Sequence, residues 1–158
     1  NRIIIPSYDA DGKLNYFIAR DMFPNSKLKY KNPPMSKDTV CFEMFVNWNE
    51  PIVLCEGVFD AISIRRNVIP LLGKFPSKTL VKRLVEKKVK TIYVALDEDA
   101  KQDALKLSKF LMDYGIKTYL LNMNDKDPSE LGFNNFWKLL NSTKQSKFSD
   151  IIRGRLHA

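Results

Sequence analysis

The sequence predicts an α/β fold: a sheet of about four parallel strands flanked by helices and preceded by a small β-rich segment. The first observation is that, over residues 51–140, short apolar runs alternate with stretches whose apolar residues recur at helical spacing. This alternation is typical of parallel strands joined by helical crossovers. The second is an upstream pair of predicted strands, residues 2–6 and 14–20, around a turn that contains Gly12.

The elements of the main domain are predicted from apolar periodicity and turn residues. Strands are expected at residues 52–55, 69–72, 91–96 and 117–121. Helices are expected at residues 58–66, at 76–88, from 100 to 115, and through Leu131 and Leu140. Pro76 suits the first turn of the second helix, and Gly115 suits the end of the third. The four strands of this domain are therefore expected to pair in parallel with one another.

The domain boundaries follow from composition. Residues 21–36 contain three prolines and are expected to be an irregular loop or hinge. Phe42, Phe45 and Trp48 are expected to dock this linker on the core. We predict a small β-rich basic segment at 1–48, a catalytic domain at 49–140 and a basic tail or linker at 141–158.

Composition limits the class of protein. The chain has 158 residues with 44% hydrophobic content, which suits one α/β domain with a small appendage. No apolar run approaches the roughly 18 residues of a membrane-spanning helix. We therefore expect a soluble protein of the cytoplasm, or of the host cytoplasm if phage-encoded, with no membrane partner. Cys41 and Cys55 are expected to be buried free thiols of a reducing compartment.

Acidic residues follow the predicted strands where the strands end. Glu56, with Asp60 shortly after it, follows the first strand; Asp97 and Asp99 follow the third; and Asp127 follows the fourth. Because the carboxyl ends of parallel strands meet at one edge of a sheet, Glu56, Asp97 and Asp99 should converge. Their repulsion would be relieved by a divalent cation, and oxygen ligands suit Mg2+ or Mn2+. The alternatives are helix caps, solvated acids or a phosphoacceptor receiver domain, although the order of the acids differs from a receiver's.

Residues 50–135 resemble the Toprim domain, which bacterial-type DNA primases, phage primases, helicase-primases, topoisomerases and certain nucleases share. The matching segments are residues 53–61 (VLCEGVFDA), 71–73 (LLG), 96–100 (LDEDA) and 125–131 (DKDPSEL). The resemblance implies that Glu56, Asp97 and Asp99 are the catalytic and metal-binding residues, with Asp60 and Asp127 as secondary acidic members.

Further segments narrow the resemblance to primases of the DnaG type. Asp127-Pro128 is similar to the primase segment that supplies an additional carboxylate. Upstream, residues 2–6 (RIIIP), 17–20 (FIAR) and 29–34 (KYKNPP) look like the segment that leads into Toprim in these primases. The resemblance implies nucleotidyl transfer from ribonucleoside triphosphates to an RNA primer on a single-stranded DNA template, beside a fused or separate replicative helicase. Its expected nucleic-acid or nucleotide contacts are Arg20, Lys29, Lys31 and Asn32.

Departures from the primase pattern refine the expectation. Lys101-Gln102 follow Ala100 where bacterial primases usually have Ala-Gly, which favours a phage-like or helicase-primase branch. Cys41, Cys55 and His157 are too few for a four-ligand zinc site, so no zinc site is expected in this chain. The start at Asn1 leads us to expect part of a larger primase. The alternatives are a Toprim nuclease or topoisomerase fragment, or a non-catalytic DNA-binding Toprim module.

The net charge of +8 must lie away from the acidic site. Basic residues group before the Pro-Pro pair, around the second predicted helix and in the tail. The group around the helix comprises Lys74, Lys78, Lys82, Arg83, Lys87, Lys88 and Lys90. Basic surface near a metal site suits an enzyme that handles polynucleotides, because neutralising phosphates supplies much of the affinity. For the group around the helix, a solvent-exposed face without a binding role is an equally good interpretation.

Overall fold

A parallel sheet with helices on both faces follows an antiparallel hairpin, as the sequence predicts. The computed structural model describes residues 1–124, 126–149 and 153. The elements are β1 (Arg2–Tyr8), β2 (Leu14–Asp21), β3 (Ile52–Cys55), α1 (Val58–Ile64), β4 (Val68–Pro70), α2 (Lys78–Glu86), β5 (Thr91–Ala95), α3 (Lys101–Asp113), β6 (Lys117–Leu120) and α4 (Pro128–Ser142). Short 3-10 turns occupy Glu43–Phe45 and Glu98–Ala100.

The strand order of the main sheet is β4-β3-β5-β6, and every neighbouring pair is parallel. The chain passes from β3 outward to β4 and then returns across β3 to form β5. β3 and β5 are therefore adjacent at the centre, with Cys55 opposite Ala95 in the register. The residues that follow these two strands leave the sheet side by side, at the point where the strand order reverses.

Two apolar layers enclose the sheet. One face is covered by α2 and α3 through Leu80, Leu84, Leu107 and Leu111. The other face is covered by α1 and α4 through Ala61, Ile64, Phe136 and Leu140. Full burial of a side chain such as Leu107 stabilises the fold by about 1.5–3 kcal/mol. The central strand β3 is buried along its whole length, which explains why its sequence is a continuous apolar run.

Two helix boundaries differ from the sequence prediction. Ser77 caps α2, since its hydroxyl accepts a hydrogen bond from the Leu80 amide at 3.0 Å. Pro76 therefore lies directly before the cap, near the first turn, and the helix begins two residues later than predicted. α1 ends at Ile64, because Arg65 adopts a left-handed conformation with φ 61°. This ending is earlier than the predicted one.

The linker between hairpin and sheet has no helix or strand from residue 22 to residue 42, apart from an isolated bridge of Tyr30 to Arg20. Phe42 and Trp48 pack on the core as predicted. The prediction is wrong for Phe45, whose side chain is 70% exposed. Glu43 takes the inward position of the same 3-10 turn, where its carboxylate lies 2.8 Å from Arg83 Nε.

Hydrogen bonds fix the hairpin to the rest of the protein. The hydroxyl of Ser7, which is fully buried, accepts from the Phe42 amide at 2.9 Å. Asn15 donates from its side chain to the Val40 carbonyl at 2.9 Å. Cys41 and Cys55 are buried free thiols, as expected. The hairpin thus has a defined position against the sheet.

Some predictions concern residues that the structure does not describe. Asp125 of the Toprim-like motif, and residues 150–152 and 154–158 of the predicted tail, which include Arg155 and His157, lie outside the described residues. The domain boundaries at residues 48 and 140 stay predictions, although α4 continues to Ser142. Within the described part of the chain, no helix has the length and apolar character needed to cross a bilayer.

Candidate metal centre and the basic groove beside it

Three predicted carboxylates converge at the carboxyl ends of the two central strands. Glu56 follows β3 and Asp97 follows β5, while Asp99 lies in the 3-10 turn that leads to α3. One side-chain oxygen from each of the three lies within 4.8 Å of the others. The Asp97 amide also donates to Glu56 Oε1 at 3.4 Å, which links the two strand ends. The strand order of the sheet therefore assembles this cluster.

The electrostatics of the cluster suit a divalent cation. Burial, and then the Asp97 carboxylate, raise the pKa of Glu56 above its ordinary value. Burial, followed by Asp127 and Asp99, raises the pKa of Asp97. Asp97 Oδ1 is buried and has no hydrogen-bond partner among the described residues. A bound cation would coordinate this oxygen and offset the repulsion, so the residues present fit a hard metal ion such as Mg2+ or Mn2+.

Asp60 and Asp127 adjoin the cluster and also cap helices. Asp60 Oδ2 accepts from the Gly57 amide at 3.2 Å at the start of α1, and burial followed by Asp97 raises the pKa of Asp60 to about 6. Asp127 Oδ1 accepts from the Glu130 amide at 2.8 Å and so caps α4. Because each acid has a structural task as well, we rank both behind the three converging carboxylates.

Lys74 supplies a positive charge within the cluster, which the sequence analysis did not assign to the site. Its ammonium nitrogen lies 3.5 Å from Asp99 Oδ2 and 4.0 Å from Asp103 Oδ2. The Lys74 charge also lowers the pKa values of Glu56 and Asp97, against the larger effect of burial. Its place shortly after β4, at the same edge of the sheet, was the sequence signal that could have identified it.

A groove of about 470 Å³ separates the acidic cluster from the hairpin and linker. Its acidic wall contains Glu56, Asp60, Asp97 and Asp127. Its opposite wall contains Arg20, Lys29, Tyr30, Asn32 and Lys37. We call this the basic groove. A ligand that carries phosphates could contact cations on one side while it shares metal ions with the carboxylates on the other.

The predicted basic residues occupy different positions. The guanidinium carbon of Arg20 lies 4.6 Å from the centre of the Phe59 ring, and the guanidinium donates a hydrogen bond to the Tyr30 hydroxyl at 3.3 Å. These two contacts hold the guanidinium in place. Asn32 accepts from the Ala19 amide at 3.3 Å, and Lys29 lines the groove. Lys31 is not among the lining residues, although it is only two positions further along the chain.

Other groove residues were missed from the sequence. Lys37 donates to the Leu72 carbonyl at 3.0 Å, and Leu72 has a left-handed φ of 56°. A bulky residue in this conformation is strained, and such strain clusters at functional sites. Neither Lys37 in the irregular linker nor Phe59 in α1 carried a local pattern that pointed to the groove.

The fold and the acidic edge define a class of protein. The family model for Toprim-like domains matches residues 53–131, and the chain belongs to this family. An uncharacterized protein of Mycoplasma genitalium, MG010, is 30% identical over 131 residues, which cover 75% of this chain and 59% of that protein. The Toprim resemblance seen in the sequence is therefore confirmed.

Solved primase structures share the fold. The zinc-binding and RNA polymerase domains of the Aquifex aeolicus primase match with a TM-score of 0.79 at 21% identity, over 97% of this chain and 45% of that chain. The DnaG primase catalytic domain bound to single-stranded DNA matches with a TM-score of 0.77 at 19% identity, over 98% of this chain and 55% of that chain. These matches include the hairpin and linker upstream of the Toprim-like segment, and this chain spans about half of each structure.

Proposed function

We propose that this chain is the metal-binding catalytic part of a DNA primase. The activity would be nucleotidyl transfer from ribonucleoside triphosphates to a growing RNA primer, on a single-stranded DNA template. The observation that carries the proposal is the convergence of Glu56, Asp97 and Asp99. Glu56 and Asp97 also line a groove whose other side is basic. The match to primase folds over nearly the whole chain supports it.

The acidic residues would hold Mg2+ or Mn2+. Metal ions supply charge stabilisation at the reacting phosphoryl group and activate the attacking hydroxyl. Glu56 and Asp97 provide oxygens fixed by the central strands, whereas Asp99 is 78% exposed and can adjust. We propose Asp60 and Asp127 as secondary acidic residues whose negative charge adds to that of the three converging carboxylates.

The basic wall would bind phosphates. Arg20, fixed by Phe59 and Tyr30, presents a guanidinium that can donate two hydrogen bonds to one phosphate. Lys29 adds a second positive charge to the same wall, and Asn32, which accepts a hydrogen bond from the Ala19 amide, lies beside them in the groove lining. We propose Lys31 as an outer contact that attracts the template from beyond the groove. The template, the nucleotides, the RNA primer and a replicative helicase are the proposed partners.

The metal centre can be tested by thermal unfolding. We predict that millimolar Mg2+ or Mn2+ raises the melting temperature of the wild type, because binding to the folded state stabilises it by mass action. The double variant Asp97→Asn/Asp99→Asn should lose this response. The matched control Asp11→Asn/Asp113→Asn removes two exposed acids remote from the cluster and should keep it. A metal response that survives in the first variant would contradict the proposed site.

The reaction can be tested in the full-length protein with a single-stranded template, ribonucleotides and Mg2+. We expect short RNA products and pyrophosphate, both lost in Glu56→Gln. Nucleotide-independent DNA cleavage or relaxation that disappears in Asp97→Asn would favour the nuclease or topoisomerase alternative. DNA binding without either activity, in the presence of an intact metal response, would favour a non-catalytic module.

The role of the basic wall predicts a separate effect. Lys29→Ala should weaken binding of a single-stranded oligonucleotide and reduce the slope of log affinity against log salt by about 0.7, the value for one lost phosphate contact on a single strand. Lys13→Ala, in the exposed hairpin turn, is the control. Fluorescence anisotropy between about 50 and 200 mM salt measures both. An unchanged slope in Lys29→Ala would remove this lysine from the binding surface.

A further inference from the structure

A second groove lies at the amino-terminal ends of the strands, whereas the acidic cluster lies at their carboxyl ends. It occupies about 420 Å³ where the chain enters β5 and β6, between the last turns of α2 and α3. Its lining consists of Leu84, Val85, Lys88, Val89, Lys90, Tyr114, Gly115, Ile116 and Lys117. We call it the distal groove. None of these residues belongs to the site proposed for catalysis.

The rim of the distal groove carries three uncompensated lysines. The Lys117 amide donates to the Lys90 carbonyl at 2.9 Å, so these two residues are held side by side at the starts of neighbouring strands. Like charges in such positions repel. The nearby acids are engaged elsewhere, since Glu86 pairs with Lys82 and Arg83, and Asp113 pairs with Lys109.

Lys88 adds to the same rim from a fixed backbone. It adopts a left-handed φ of 52° in the turn that follows α2. Within the part of the chain that the structure describes, Lys88, Lys90 and Lys117 form no salt bridge, whereas Lys74, Lys82 and Arg83 of the same basic group do. Lys78 and Lys87 of the basic group likewise form no salt bridge among the described residues, but they do not line this groove. Lys88 and Lys90 place their charges at its rim together with Lys117.

The floor of the distal groove is apolar. Leu84, Val89 and Ile116 belong to the hydrophobic core and are nearly buried. Val85 and Tyr114 remain 50% and 51% exposed beside them. A polynucleotide would engage the lysines through phosphates and leave Val85 without a partner. An acidic peptide with a large apolar side chain would satisfy both the rim and the floor.

We propose that the distal groove is a docking site for an acidic peptide segment of a partner protein, with one large apolar side chain inserted between Val85 and Tyr114. The three lysines of the rim complement the negative charge of such a segment, and the apolar floor complements its apolar side chain. The site does not depend on the proposed primase activity. A partner could be held here while the basic groove stays open, because the two grooves lie at opposite ends of the strands.

The test is selection of a displayed library of random decapeptides on the full chain. We expect enriched peptides to combine several acids with a large apolar residue, and to bind at least tenfold more weakly to Lys90→Glu/Lys117→Glu and to Val85→Ala. The control Lys13→Glu/Lys138→Glu makes the same change of net charge at exposed lysines elsewhere and should bind as the wild type does. Melting temperatures check that each variant is folded.

Several results would overturn the proposal. One is a selection that enriches no peptide preferring the wild type over Lys90→Glu/Lys117→Glu. Another is an equal loss of binding in the control variant, which would show attraction by net charge alone. A third is a twelve-nucleotide oligothymidine that binds the wild type and loses tenfold in Lys90→Glu/Lys117→Glu, while the peptides bind both equally. That outcome would assign the surface to nucleic acid.

Discussion

Replacing Asp60 by Asn should stabilise the metal-free protein at neutral pH. Burial raises the pKa of the Asp60 carboxyl from its ordinary value of 3.8 to about 6. The folded state therefore binds more protons than the unfolded chain between these two values, and the free energy of unfolding falls as the pH rises through this interval. Above about pH 6 the Asp60 carboxyl is ionised in both states, and the full loss of stability is present. Asn stays neutral and can still accept the hydrogen bond from the Gly57 amide.

The size of the effect follows from the same values. A tenfold change in proton affinity corresponds to about 1.4 kcal/mol, so the upper limit is ~3 kcal/mol. Asp60 is partly open to the basic groove, and solvent screening reduces the expected gain to ~1–2 kcal/mol. For a chain of this size, that gain corresponds to an increase in melting temperature of about 2–8 °C.

Thermal unfolding followed by circular dichroism, in a chelating buffer from pH 4.5 to pH 7.5, measures this effect. The difference between Asp60→Asn and the wild type should grow up to about pH 6 and then stay constant. Asp38→Asn is a control of opposite sign, because hydrogen bonding to the Thr79 amide lowers the pKa of Asp38. Replacing the Asp38 carboxylate should therefore lower the free energy of unfolding across the whole pH interval. An Asp60→Asn variant with wild-type stability at pH 7.5 would refute the reasoning.

Two further predictions concern charged pairs. Lys74→Met should raise the pKa values of Glu56 and Asp97, because the lysine ammonium that lowers both is lost. NMR titration of the carboxyl carbons measures the two pKa values, and unchanged values would contradict the prediction. Glu43→Gln should lower the free energy of unfolding by roughly 1–3 kcal/mol, since it leaves the Arg83 charge without its buried partner. A double-mutant cycle with Arg83→Met checks the coupling, and strictly additive effects would argue against it.

The sheet and its acidic edge could be predicted from the sequence because both depend on local patterns. Continuous apolar runs identify buried parallel strands, and the carboxyl ends of such strands share an edge. Glu56 and Asp97 directly follow the two central strands, so their meeting required no knowledge of side-chain packing.

The basic side of the groove was only partly predictable. Lys37 of the groove and Lys74 of the acidic cluster lie on segments without periodicity, and their positions depend on contacts with the Leu72 carbonyl and with Asp99. Lys29 and Lys31 have the same local sequence character, yet only Lys29 lines the groove. The exposed position of Phe45 likewise depends on Glu43, which pairs with a residue of a distant helix.

The order β4-β3-β5-β6 has a consequence for how the protein acquires its site. Glu56 and the Asp97 amide are 41 positions apart and meet only when β5 has paired with β3, across the intervening α1, β4 and α2. Closing a loop of that length costs entropy before the strand contacts compensate for it. A chain in which only the local elements have formed therefore lacks the proposed ligand set, and we expect metal affinity during refolding to report completion of the central strand pair.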